Sequence, residues 1–150
     1  MNISKRQQSN FTKLVDKVNK ALEKYGKRNP LLRGVKYTDK LPSNISAYQF
    51  GKLRSYMNKI LQPGYSKTYS NHVRETIYNN YSKIFGPSSQ LRSMFKKLTN
   101  KQIARMRQFP ELRYLTYDYE WATRKQEQIM DTVGLNEDDI MRLINEAKKV

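Results

Sequence analysis

The sequence predicts an all-α protein, a bundle of about six to seven short helices with a basic N-terminal part and an acidic C-terminal helical part. Three observations carry that expectation. Apolar residues recur at helical spacing through most of the 150 residues. Three helix starts share one capping pattern, in which a Ser, Thr or Asn is followed three residues later by Gln or Asp. No segment sustains the two-residue alternation of a half-buried strand. Val35–Tyr37 and Tyr114–Tyr117 alternate briefly, and either fits a short strand.

The first helix is expected over about 10–25, with Phe11, Leu14, Val15, Val18 and Leu22 on one face and Gly26 as its stop. Residues 27–44 carry Pro30, Gly34 and Pro42 and read as an irregular basic connection. Ser46 and Gln49 form a capping box for a helix over about 47–61, with Ile45 and Phe50 placed as a hydrophobic staple. That helix buries Phe50, Leu53, Met57, Ile60 and Leu61 and stops at Pro63-Gly64. A third helix over about 66–85 uses Tyr69, Val73, Ile77, Tyr81, Ile84 and Phe85 and stops at Gly86-Pro87. A fourth, about 89–97, uses Leu91, Met94 and Phe95. Thr99 and Gln102 open a fifth over about 100–108, with Ile103 and Met106 inward. Pro110 starts a short helical turn, and a further helix is expected over about 119–133. Asn136 and Asp139 cap the last helix, whose inward residues are Ile140, Leu143 and Ile144. Short connections imply antiparallel neighbours.

Composition narrows the function. Lys and Arg number 29 against 13 Asp and Glu, a formal net charge of +16. Cysteine is absent, which excludes disulfides, thiolate nucleophiles and cysteine-ligated zinc. His72 stands alone, so histidine pairs cannot form a metal site. No run of about 18 apolar residues exists to span a bilayer. The opening Met1–Arg6 has no apolar stretch behind it and does not read as a secretory signal. The expectation is a soluble protein of the cell cytoplasm, or of a host cytoplasm or virion if viral. No cofactor, membrane or small-molecule substrate is expected.

The charge is uneven. Residues 1–107 hold 23 basic residues against Asp16, Glu23, Asp39 and Glu75. Residues 108–150 hold six against nine acids. The expected organisation is therefore a basic helical nucleic-acid-binding part, 1–107, and a mildly acidic helical part, 108–150, packed on it or facing a partner. A dense cationic surface repels itself, and a polyanion relieves that repulsion. The partners this implies are DNA or RNA, with a protein partner for the acidic part. The alternatives for the charge are a solvated face that keeps the protein soluble and an anionic membrane surface.

Eleven tyrosines are interleaved with the cations. Aromatic faces stack on bases while cations hold the backbone. The candidate nucleic-acid contacts are Lys52, Arg54, Lys59, Lys67, Arg74, Tyr78, Lys83, Arg92, Lys96, Lys97, Lys101 and Arg105. Tyr48 and Tyr56 also lie off the apolar stripes, whereas Tyr69 and Tyr81 share the stripe of the third helix and are expected in the core. The fourth and fifth helices fit a helix-turn-helix that presents Lys101, Gln102 and Arg105, or an ordinary helical hairpin. Asp118 and Glu120 could hold a divalent metal, but residues two apart diverge on a helix; acids at a helix start are the simpler reading. The same holds for Glu137, Asp138 and Asp139. His72 reads as a surface or phosphate contact, and Trp121 as a core anchor.

Several segments together, Ala21–Gly26, Leu41-Pro42, Ala47–Leu53, Leu98–Ile103 and Leu115–Glu120, resemble the terminal proteins of small tailed phages, which start DNA synthesis on a protein. Those proteins join a basic helical DNA-binding part to a more acidic priming part. The resemblance implies that Tyr119, which follows Tyr117-Asp118 and precedes Glu120, offers its hydroxyl to a nucleotide α-phosphate held by a polymerase. The alternative is a first-turn helical tyrosine with no such role. The expected function is a non-enzymatic, basic nucleic-acid-binding protein, in the terminal-protein version a viral DNA-replication primer. The rivals are an internal virion or ribosome-associated structural protein, a small inhibitor of a nucleic-acid-handling host enzyme, and a metal-dependent nuclease.

Overall fold

The structure, a computed structural model, describes residues 3–117, 128 and 134–150. Among them seven α-helices and two 3-10 turns form, and no strand does. The protein is all-α. Packing divides it into two compact units, Met1–Ser66 and Lys67–Val150. The change in charge falls elsewhere, after Arg107, so packing and charge draw different boundaries.

The first unit is built on α1, Lys5–Gly26. Ser4 Oγ accepts from Gln7 N at 3.1 Å, and Gln7 Oε1 accepts from Ser4 N at 3.0 Å. This capping box starts the helix at Lys5, about a turn and a half before the first apolar residue of its stripe. Phe11, Val15, Val18 and Leu22 form the buried face. At the C-terminal end the chain folds back so tightly that a Cβ on Gly26 would lie 3.3 Å from Arg33 Cα and Leu32 O. Only glycine fits without displacing that backbone. The 3-10 turn Pro30–Leu32 follows, with buried Asn29 accepting from Leu31 N at 3.0 Å and donating to Ser66 Oγ at 2.9 Å.

Residues 35–39 run extended beside α1, but not as a strand. Asn19 Nδ2 donates to Tyr37 O at 3.0 Å and Asn19 Oδ1 accepts from Tyr37 N at 2.9 Å. Gln8 Nε2 donates to Asp39 O, and Thr12 Oγ1 donates to Asp39 Oδ2. Side chains of a helix thus occupy the positions a neighbouring strand would take, which is why the brief alternation at Val35–Tyr37 needs no sheet. Helix α2, Ala47–Ile60, is opened by the Ser46/Gln49 capping box. Its buried Phe50 meets Phe11 with ring centroids 5.7 Å apart, and Tyr25 Oη donates to Ile60 O at 2.9 Å. Ile45 is buried before the cap, as a staple residue should be.

The second unit draws on α3, Tyr65–Phe85, α4, Ser89–Lys96, α5, Asn100–Met106, α6, Pro110–Arg113, a 3-10 turn Tyr114–Thr116, and α7, Glu137–Ala147. Pro110 at the first position starts α6, and the Thr99/Gln102 and Asn136/Asp139 capping boxes open α5 and α7. Val73, Ile77, Tyr81, Phe95, Leu98, Ile103, Met106, Leu112, Leu115, Ile140 and Ile144 fill the core. Tyr69, Ile84 and Phe85, expected on the inward stripe of α3, are half-buried.

Tyr81 is fully buried, its ring centroid 5.5 Å from that of Phe95, and its hydroxyl donates to Glu137 at the start of α7. Burial chiefly, then the hydrogen bond to Glu137 and the charges of Glu137 and Asp138, push this phenol well above its ordinary value. Asn80, also fully buried, gathers the turn after α6: its Nδ2 lies 2.8 Å from Leu115 O and 3.1 Å from Tyr117 O. The turn at Tyr114–Thr116 is therefore helical rather than extended.

Candidate nucleic-acid interface

The first unit carries 14 Lys and Arg against Asp16, Glu23 and Asp39. On α1 the cations Arg6, Lys13, Lys17, Lys20 and Lys24 are spaced by seven, four, three and four residues. At 3.6 residues per turn those spacings return to one face, opposite the buried Phe11–Leu22 stripe. All five are exposed. The line runs about 27 Å along the helix at 1.5 Å per residue. Asp16 lies 3.2 Å from Lys20, both well exposed. Such a pair contributes about 0–1 kcal/mol and gives way readily to a phosphate.

This stripe is absent from the sequence-derived candidates, which begin at Lys52. Its signal was available: Ser4 and Gln7 fit the same capping pattern as Ser46 and Gln49. A helix begun at Lys5 brings Arg6 into line with the lysines.

Helix α2 presents a second surface. Tyr48, Lys52 and Tyr56 succeed one another at four-residue steps, and Lys59 follows three residues later. Tyr48 is 71% exposed and Tyr56 43%. Lys52 Nζ stands 5.0 Å from the Tyr48 ring centroid, and the Tyr56 hydroxyl lies 3.1 Å from that of Tyr37. Beside this stripe opens a cleft of about 850 Å³. Arg54 turns elsewhere; its guanidinium covers the ring of buried Phe50 at 4.6 Å.

In the second unit Lys67, Lys83, Arg92, Lys96, Lys97, Lys101 and Arg105 are exposed. Arg74 has an internal task. Its guanidinium donates to Leu98 O, to Asn100 Oδ1 at 2.9 Å and to Asn71 Oδ1 at 3.2 Å, and burial lowers its pKa. Tyr78 is half-buried, with its hydroxyl accepting from Ser88 N and Arg92 over its ring at 5.3 Å. Of the helix-turn-helix candidates, Lys101 and Arg105 face outward. Gln102 caps Thr99 and donates to Lys148 O at 3.0 Å, so its amide is engaged in the fold. His72 is exposed.

Tyr119, Asp118, Glu120 and Trp121, with the helix expected over about 119–133, lie outside the described residues. Among the described residues no three potential metal ligands come together, and no helix is long and apolar enough to cross a membrane. No protein-family model, no curated protein and no solved structure matches this chain.

Proposed function

We propose that this is a non-enzymatic nucleic-acid-binding protein whose first unit supplies the phosphate contact. The observation that carries the reading is the cation stripe of α1: five exposed side chains along one line, on a helix whose opposite face is locked into the core. A lysine is a mobile point charge, suited to phosphates without regard to sequence. The buried apolar face also argues against insertion into a lipid surface, which would need that face free.

The test is fluorescence anisotropy of a labelled DNA duplex across a salt series. Five neutralised phosphates give a slope of about −4.5 for log affinity against log salt. Affinity that stayed constant from low to moderate salt would overturn the reading.

A further inference from the structure

The cleft beside α2 has a composition that the phosphate contact alone does not explain. Pro42, Ile45 and Leu53 give it apolar walls, and the half-exposed Tyr56 ring adds an aromatic one. Lys52 and Lys59, two turns apart on α2, line it as well. No acid is among its lining residues. With Asn44, Gln49 and Ser55 as neutral polar neighbours, the lining suits an occupant that combines a flat apolar group, for the Tyr56 ring, with negative charge, for the lysines. Those are the two halves of a nucleotide. The volume, about 850 Å³, falls within the range of clefts that hold small organic ligands.

We propose that this cleft seats an unstacked base of a single-stranded nucleic acid, with the flanking phosphates held by Lys52 and Lys59. A duplex keeps its bases stacked inside and offers the cleft nothing apolar; a single strand can turn a base out onto Tyr56. The inference rests on the nucleic-acid reading but uses a different surface. The stripe of α1 faces away from the core that α1 shares with α2, whereas the cleft lies on α2 and the 42–45 segment before it. The two surfaces divide the work: one answers to phosphate alone, the other to base and phosphate together. Tyr56 is held for this by Tyr37, whose ring meets it edge-on at 6.0 Å and whose backbone is fixed by Asn19.

The experiment compares three labelled probes of equal length on the full chain: a thymidine strand, an abasic strand with the same phosphates, and a duplex. The wild-type protein should bind the thymidine strand at least about tenfold more tightly than the abasic one. Tyr56→Ala should erase that preference while leaving duplex affinity unchanged; Tyr56→Phe, which keeps the ring, should retain it. Lys52→Ala should weaken both single strands equally. Equal binding of thymidine and abasic strands by the wild type overturns the inference, as does a preference that survives in a folded Tyr56→Ala. Should Tyr56→Ala fail to fold, loss of the preference in Leu53→Ser takes its place, and its persistence there overturns the inference. If duplex binds but no base preference exists, only the cleft assignment falls. If none of the three probes binds at low salt, the nucleic-acid reading falls with it.

Discussion

The two units carry their positive charge in different chemical forms. The first has ten lysines and four arginines; the second has eight lysines and seven arginines, with ten acids among them. In the second unit every described arginine touches protein. Arg74 reaches Leu98, Arg92 covers Tyr78, Arg105 covers Phe109, Arg107 meets Thr116 and Tyr117, Arg113 donates to Arg107 O, and Arg142 pairs with Asp139. A planar fork with five donors suits that work, because it bonds carbonyls and lies flat on rings while its charge stays partly solvated. Most of the first unit's lysines instead stand exposed on helix faces. Net charge alone, +11 for the first unit and +5 for the second from the same sequence, understates this contrast. Some cations hold a fold together, and others are left for something outside it.

The sharpest way to break the comparison is to reverse the α1 stripe. Lys13→Glu, Lys17→Glu, Lys20→Glu and Lys24→Glu together should lower duplex affinity by about 100-fold or more and flatten the salt slope by about 3–4. Circular dichroism should show the helices intact, since all four positions are exposed. The matching change in the second unit should act in the opposite sense. Arg74→Met leaves Leu98 O and the Asn100 side chain without their donor, at a cost of about 2–3 kcal/mol in denaturant unfolding. Its effect on duplex affinity should be slight. If Arg74→Met instead weakened binding with no loss of stability, the division between bracing arginines and free lysines would be wrong.

The smallest expected effect concerns Tyr81. Its hydrogen bond to Glu137 should be worth about 1–2 kcal/mol, read as the stability lost in Tyr81→Phe near neutral pH. The phenol's pKa is raised in the folded state, so the folded protein retains this proton where the unfolded chain releases it. Its contribution is complete below the ordinary phenol value of 10.0 and declines as pH rises beyond it. Between pH 10 and 11 the wild type should therefore lose stability faster than Tyr81→Phe in thermal melts. Parallel losses would remove the pH linkage from this residue.

Much of the fold was legible because helix starts are written locally. Ser46 with Gln49, Thr99 with Gln102 and Asn136 with Asp139 each mark a helix within four residues, and each box forms. The same pattern at Ser4 was missed because its first turn, Lys5–Gln8, contains no apolar residue to draw attention to it. The cost was small, since Lys13, Lys17, Lys20 and Lys24 already lie within the expected helix and only Arg6 joins their line through the earlier start. Val35–Tyr37 could not be read correctly from its own residues, because what satisfies Tyr37 is Asn19, 18 positions away on another element. The density of cations was visible in sequence, but their division between bracing and exposed roles was not. Arg74 and Lys67 look alike in a list of charges; only the carbonyl of Leu98, brought close by the turn before α5, separates them.

Asn19 has one more consequence. By answering both backbone polar groups of Tyr37 with one amide, it leaves that residue nothing to offer a passing chain. Lys36 and Lys40 on either side of it are exposed, and their like charges discourage a second molecule from docking there. This non-helical stretch is thereby both occupied by its own helix and electrically guarded, a safeguard against clumping built from three side chains.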